Sequence, residues 1–423
     1  MYISHLALDD FRSYIHDVIE FRRGVTVILG PNGQGKTNLI EAVNYLAHLS
    51  SHRVAADTAL VRFPLPGDVA PAGAVIRAKV HAGDRERIVE LEIVRGRANR
   101  ARLNRNPIRP REILGQVKVV LFAPEDLNIV KGDPSDRRRF LDDMGIQMWP
   151  TYGVVKSDLD RILRQRAALL KQLGKDRRSG RPVDLAGLSI WNDQLIDAST
   201  QIVAYRQRLL DDLVEPANEM HHIVSEGARE LTIAYENSLT QVDEIDAQTV
   251  SSLSATDPQR YSEMMKHALD TVCDQEINRG VNLVGPHRDD LGLWLDGMPV
   301  KGYASHGESW SVALSLKLGA FEVLSTDTHR ARDGRERPIL ILDDVFAELD
   351  EYRRRALVRV MEKAEQVLIT AAAQTDVPHA LVTDIVKIER DGHAGSRCIS
   401  AIRASDDNTG LPPSADNPTQ MED

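Results

Sequence analysis

The sequence predicts an α/β protein in which a mixed sheet with flanking helices is interrupted by an inserted helical, coiled-coil-like arm. Three observations carry that reading. The apolar, β-branched run Val25-Thr26-Val27-Ile28-Leu29 leads through a glycine-rich loop into the helical pattern of Asn38-Leu39-Ile40-Glu41-Ala42-Val43-Asn44-Tyr45-Leu46. Between about 135 and 215 the apolar spacing becomes helical. From about 280 strand patterning returns, and the run Pro338-Ile339-Leu340-Ile341-Leu342 ends in Asp343 and Asp344, as a buried parallel strand does. The expected units are 1–135 and 280–402 as two parts of one head, 136–279 as the arm, and 403–423 as a disordered acidic tail.

At 423 residues the chain has room for two domains, or for one large domain with an insertion. Lys and Arg number 53 against 63 Asp and Glu, a net charge of −10, so the overall balance does not advertise nucleic-acid binding. A local basic surface is compatible with that balance, because binding follows charge distribution rather than the sum. Two cysteines, Cys273 and Cys398, lie far apart without metal-ligand spacing, which points to a reducing compartment and no disulfide framework. No signal-peptide layout opens the chain and no apolar run is long enough to span a bilayer, so a soluble cytoplasmic protein is expected.

In chain order, residues 1 to about 50 read strand, turn, strand, glycine loop, helix, with Phe11-Arg12-Ser13-Tyr14 between the first two strands. Val75–Val80 and Ile88–Val94 alternate with period two and predict strands, Leu103–Ile108 a turn, and Val117–Phe122 an apolar strand. Val155, Leu159, Ile162, Leu169 and Leu173 follow one helical stripe, and Leu188, Trp191, Leu195, Ala198, Ile202, Tyr205 and Leu209 another. The polar breaker Gly174–Pro182 separates them, so the two helices fold back as an antiparallel hairpin, coiled-coil-like or as ordinary bundle helices. Leu291–Leu295 is a strand running into the turn pair Asp296-Gly297; a helix spans roughly 309 to 325, and another carries Arg353, Arg354 and Arg355 before the strand Gln366–Thr370.

The chemistry begins at Gly30-Pro31-Asn32-Gly33-Gln34-Gly35-Lys36-Thr37, the spacing G-x-x-x-x-G-K-T between a strand and a helix. Glycines let successive backbone N–H groups converge, the new helix adds its own unpaired N–H groups, Lys36 reaches the outer phosphates, and the Thr37 hydroxyl is placed to ligate Mg²⁺. ATP and Mg²⁺ are therefore the expected cofactors. Asp343 supplies the second half of a metal site at a strand's carboxyl end, and Asp344 is positioned to polarise the attacking water. The competing role for either aspartate is a helix N-cap. Ser305-His306-Gly307-Glu308 precedes a helix and offers a second anion-binding edge, a weak signal alone because Ser is a generic cap.

These stretches, with Ser51-His52-Arg53, Pro124-Glu125-Asp126-Leu127, Arg137-Arg138-Arg139-Phe140-Leu141-Asp142 and Gly285-Pro286-His287-Arg288-Asp289-Asp290-Leu291, run in an order that resembles the RecF family, bacterial recombination mediators with an ABC/SMC-type P-loop ATPase head. The resemblance covers nearly the whole chain up to about residue 400. It implies a nucleotide sandwiched in a homodimer, with Ser305 and Gly307 of one copy closing on the phosphates held by the other's P-loop. It also places Asp350 at the dimer seam and Arg12 among the nucleotide contacts. Slow, DNA-dependent ATP hydrolysis, binding at junctions of duplex and single-stranded DNA, an SOS-linked role in gap repair and fork maintenance, and loading of RecA with RecO and RecR as partners come from the same source. Asp344 stands where ABC heads usually carry Glu, one methylene longer, which suits weak hydrolysis.

Two basic clusters are candidate DNA contacts that would track phosphates without reading sequence. Arg95, Arg97, Arg100, Arg102, Arg105, Arg109 and Arg111 form one; Lys171, Lys175, Arg177, Arg178 and Arg181 mark the expected arm tip. Solvated surface charge is the alternative for each. His287, Arg288 and Asp289 alternate faces on an extended stretch and are read as structural, or as a head–arm contact. The other function classes weighed are an SMC-like structural ATPase, a transporter-type ATPase subunit, which lacks a membrane-coupling segment here, and an ATPase-linked nuclease, which needs a metal-carboxylate domain that the residues after Arg403 are too few and too polar to form.

Overall fold

The computed structural model describes residues 1–403 except 65–68, 183–184, 226, 228, 244, 252–256, 327–335, 347, 378–380 and 392–394, and the expected acidic tail lies outside them. In chain order it runs β1 (Tyr2–Phe11), β2 (Tyr14–Glu20), β3 (Gly24–Leu29), α1 (Lys36–His48), β4 (Gly73–Ala82), β5 (Arg85–Val94), β6 (Arg100–Leu103), β7 (Asn106–Ile108) and β8 (Val119–Phe122). Then follow the short α2 (Asn128–Lys131), α3 (Pro134–Met148), α4 (Pro150–Arg178), α5 (Ala186–Val224), β9 (Leu231–Glu236), α6 (Ala247–Ser251) and α7 (Pro258–Arg279). The chain closes with β10 (Asp290–Leu295), β11 (Met298–Pro299), α8 (Val300–Tyr303), α9 (His306–Thr326), β12 (Ile339–Asp343), α10 (Glu351–Met361), β13 (Gln366–Ala371), β14 (Val382–Asp391) and β15 (Gly395–Arg403).

One 12-stranded sheet, in the order β7-β6-β5-β4-β1-β2-β15-β14-β3-β13-β12-β8, unites segments from both ends of the chain. From β14 to β8 its pairs are parallel, and the rest is an antiparallel meander joined through the β14–β15 hairpin. The parallel strands are continuous apolar runs: all of β8, β12 and β13 is buried, as strands covered on both faces must be. β4 alternates half-exposed and buried side chains along its length, the mark of a strand with one wet face. The Leu103–Ile108 turn proves to be the tight β6–β7 hairpin, with Asn104 and Arg105 both at positive φ, as a two-residue connection demands.

The helical stripes emerge as α4 and α5, which pack on each other and on α7. Their own core holds Tyr152, Leu159, Ile162, Leu195, Ile202, Met265 and Leu269. The C-terminal half of α5, from Leu209 onward, and α3 instead share a core with β3, β12, β13 and α9. Two buried guanidinium networks fix the arm to its base. Arg166 donates to Glu276, Asn192 and Asn282 across α4, α5 and α7. Arg206 donates to Asp142, Tyr235 and the Pro286 carbonyl. In the latter network Asp289 accepts from the Tyr235 hydroxyl at 2.6 Å and the Ser238 N–H at 2.7 Å, while Arg288 turns to the Asn282 carbonyl. His287 also reaches the Asn282 carbonyl, at 3.4 Å, so His287 and Arg288 share that structural contact while Asp289 faces Tyr235 and Ser238, and the three form no common acid–base or metal centre. Among the described residues no helix is long and apolar enough to cross a membrane.

Candidate functional site

β3 delivers the chain into the glycine loop at the carboxyl edge of the parallel half of the sheet. Gly33 (φ 82°) and Gly35 (φ 111°) adopt conformations that a side chain resists, and a Cβ on Gly35 would lie 2.5 Å from the Ser396 hydroxyl. Lys36 opens α1, its ammonium donating to the Gly30 and Pro31 carbonyls at 2.5 and 3.2 Å and lying 3.5 Å from Asn32 Oδ1. Burial lowers the Lys36 pKa, opposed by the charges of Asp344 and Asp343.

Because β13 lies between β3 and β12, Thr370 at its end bridges the loop and the acid strand. The Thr370 hydroxyl donates to Asp343 Oδ1 at 2.5 Å and accepts from the Asp344 N–H at 3.0 Å. The Thr37 hydroxyl reaches the same Asp343 oxygen at 3.3 Å. Asp343 is only 5% exposed, and desolvation raises its carboxyl pKa. Asp344 is exposed at positive φ (55°). Among the described residues neither aspartate caps a helix: α10 begins at Glu351 and its cap is Asp350, which accepts from the Arg353 N–H and pairs with the Arg353 guanidinium.

Asn32, Gly33, Gly35, Lys36, Thr37, Asn38, Arg53, Asp343, Asp344 and Thr370 thus line a single cavity of about 340 Å³. The Thr37 hydroxyl and the Asp343 carboxylate side by side are hard oxygen donors that would hold Mg²⁺, and Lys36 in the same lining would attract the phosphates. Gly30, Pro31 and Gln34 are placed otherwise, Gly30 giving its carbonyl to Lys36. Pro31 contributes its carbonyl to Lys36, and the Gln34 side chain accepts from the Arg390 N–H at 2.6 Å. Arg12, itself at positive φ, forms a two-pronged pair with the fully buried Glu41 and faces an adjoining cleft lined by Arg53, Arg62, Arg95 and Arg390.

Ser305 and Gly307 do not line the cavity. Ser305 is exposed at the start of α9, where it and Glu308 form a reciprocal capping box: Glu308 N–H to the Ser305 hydroxyl at 3.2 Å, Ser305 N–H to the Glu308 carboxylate at 2.8 Å. Glu308 also pairs with Arg229, and the Gly307 carbonyl accepts from Arg353. Of the first basic cluster, Arg102 pairs with Glu90 at 2.8 Å and Arg100 with Glu92 at 3.7 Å across the sheet face, and Arg95 donates to the Arg62 carbonyl. Arg97 and Arg105 have no ion pair among the described residues.

Several residues that shape the cavity carry no site role in the sequence reading, although Ser13, Tyr14 and Arg53 lie in stretches it quotes. Ser396 on β15 donates to the Gln34 carbonyl at 2.6 Å and is hydrogen-bonded to the Ser13 hydroxyl at 2.7 Å, Ser13 accepts from Asn38, and the Tyr14 hydroxyl donates to the Gly35 carbonyl. Arg53 donates to Asn38 at 3.1 Å and stands between the cavity and the arginine-lined cleft.

A parallel half-sheet carrying this cavity, an antiparallel meander, and a helical arm between two halves of the head define a P-loop ATPase head of the ABC and SMC type. The RecF/RecN/SMC N terminal domain model matches residues 2–394. Curated relatives named "DNA replication and repair protein RecF" include one from Kineococcus radiotolerans, 48% identical over 90% of this chain and 95% of its own. Another, from Beutenbergia cavernae, is 49% identical over 90% of this chain and 96% of its own. The solved structure of the recombination mediator protein RecF with ATP aligns at a TM-score of 0.78 and 27% identity, covering 94% of this chain and 98% of that one. The SMC head domain of Pyrococcus furiosus shares the fold at a TM-score of 0.51 and 15% identity, over 96% of this chain and 98% of that one. This chain belongs to the RecF family.

Proposed function

We propose that this chain is an ATP-dependent DNA-binding protein of replication and recombinational gap repair, acting as a head-to-head dimer that ATP closes and slow hydrolysis opens. The head is taken as residues 1–135 and 280–402, the arm as 136–279. The observation that carries the reading is the position of Ser305 and Gly307 at the start of a 21-residue helix and outside their own chain's cavity, with Ser305 exposed and Gly307 half-buried beside Arg353. At this helix N-terminus the first-turn N–H groups that the Ser305–Glu308 capping box does not take offer an anion site. A second copy's triphosphate is the ligand that fits it.

In this scheme the loop N–H groups and Lys36 hold the β- and γ-phosphates, and Arg53 adds positive charge beside them. Thr37 and Asp343 would hold Mg²⁺, which supplies charge neutralisation at the β- and γ-oxygens. Asp344, exposed and turned toward the same cavity, accepts the proton of the attacking water as the β–γ bridging P–O bond breaks, releasing ADP and phosphate. Asp350, already the cap of α10, presents its exposed edge at the dimer seam. DNA would lie across the joint basic surface, where Arg95, Arg97 and Arg105 are better placed than the paired Arg100 and Arg102. The RecFOR pathway named for the solved relatives supplies RecO and RecR as partners, with RecA loading downstream.

Sedimentation with and without ATP tests the scheme. Lys36→Ala is expected to lose nucleotide binding and ATP-driven association together. Ser305→Ala is expected to keep monomer nucleotide binding and lose association. Association that survives Ser305→Ala would reject the shared site.

A further inference from the structure

The outward face of α4 repeats a three-and-four spacing that mirrors its buried seam, but with cations. Arg161, Arg164, Lys171, Lys175 and Arg178 are all exposed, with Ala168 completing the pattern. Positions three and four apart stack on one helix face, so these side chains form a single stripe. From Arg161 to Arg178 it runs about 26 Å at 1.5 Å per residue.

Arg164, Lys171, Lys175 and Arg178 have no carboxylate partner among the described residues, and Arg161 reaches Asp158 only at 3.7 Å between two half-exposed side chains. By contrast Arg177 and Arg181, which sequence places in the same basic tip, are paired with Asp274 and Asp176. The companion helix α5 exposes Asp193, Asp197, Asp211, Asp212, Glu215 and Glu219. On the arm portion of α5 the exposed acids are Asp193 and Asp197, and the other four lie on the turns that α5 shares with the head, so the cationic stripe of α4 has no facing acidic stripe along its length. Attraction to the helix dipole accounts for cations in the last turn alone, which leaves Arg161, Arg164 and Lys171 unexplained.

We propose that this face of α4 is a second DNA-contact surface that lies along the phosphate backbone of a duplex. The proposal rests on the DNA-binding half of the function above and adds the arm to it. At 3.4 Å per base pair the stripe spans about seven to eight pairs. The stripe is dominated by five cations, with the exposed Gln165 and Gln172 beside them and no aromatic side chain to stack on a base, a set that suits phosphates better than base edges.

The test is duplex binding over a salt series, by anisotropy of a labelled random-sequence duplex with and without ATP. It compares the wild-type chain with a variant carrying Arg164→Gln, Lys171→Gln, Lys175→Gln and Arg178→Gln. Losing four phosphate contacts should lower the log–log salt slope by about 0.9 each, or about 3 to 4 in all. A charge-keeping variant (Arg164→Lys, Lys171→Arg, Lys175→Arg, Arg178→Lys) should restore the wild-type slope, and ATP-driven association in sedimentation should be unchanged in both. An unchanged slope in the glutamine variant would overturn the inference while leaving the dimer scheme standing. So would intact duplex binding combined with lost capture of polyglutamate, which would assign the face to an acidic protein. A wild-type chain that bound no duplex would overturn the DNA-binding reading itself.

Discussion

At the residue scale the site turns on Asp343, which is pulled two ways. Burial at the end of β12 penalises its charge and raises its pKa, while the hydroxyls of Thr370 and Thr37 reward that charge. Because the folded-state pKa stands above the unfolded one of about 3.9, the group favours folding most below the unfolded pKa. That contribution is lost as pH rises through the folded value. Asp343→Asn keeps the oxygen that accepts from both threonines and removes the buried charge. Thermal melting of the nucleotide-free protein at neutral pH is expected to rise by about 1–3 °C, and Mg²⁺-dependent ATP affinity in calorimetry to fall at least about tenfold, or 1.4 kcal/mol. A lower melting point would mean the carboxylate contributes to the empty fold more than its desolvation costs. Much of this site was legible in sequence, because phosphate binding imposes a fixed local spacing on Gly30–Thr37 and an acid at a strand end. Arg12 was attributed to the nucleotide by family likeness alone, and its pairing with Glu41 could not be foreseen, since nothing local couples residues 29 positions apart.

At the scale of elements, two features link the cavity to the rest of the head. The β14–β15 hairpin presses on the glycine loop through Arg390 and Ser396, contacts more than 350 residues apart in sequence. The sequence marks the parallel core strands by composition, but the partners of a loop arrive through topology and leave no local period to read. The other feature is the crossing of α5 and α9, which joins the arm to the helix that Ser305 precedes. There a Cβ on Gly319 would sit 2.8 Å from the Ala217 Cα and backbone N. Gly319→Ala must push two helices apart in a packed core, at a cost of about 1–3 kcal/mol. A fall in the urea midpoint with an unchanged m-value is the expected reading. A wild-type midpoint would show that the contact between the two helices yields freely. Three-and-four spacing foretold α4 and α5. It did not foretell that α5 runs to Val224 and shares its last turns with the head, because a helix carrying two successive faces shows one continuous period.

For the whole molecule, the sheet explains why the head needs both ends of the chain. β3 is flanked by β13 and β14, so neither terminal segment alone buries its apolar strands or completes the cavity. The arm leaves and returns on one side of this sheet, carrying its own core and its own charge pattern. The net charge of −10 concealed that pattern, since a sum says nothing about distribution. What joins two such molecules, on this account, is a triphosphate held by the P-loop of one and closed by Ser305 and Gly307 of the other.

Mixing the two defective variants tests that claim most directly. In a pair made of Lys36→Ala and Ser305→Ala chains, one of the two sites combines an intact P-loop with an intact Ser305. Sedimentation with ATP should therefore show the mixture associating more strongly than either variant alone. A mixture that associates no better than its components would contradict the shared site.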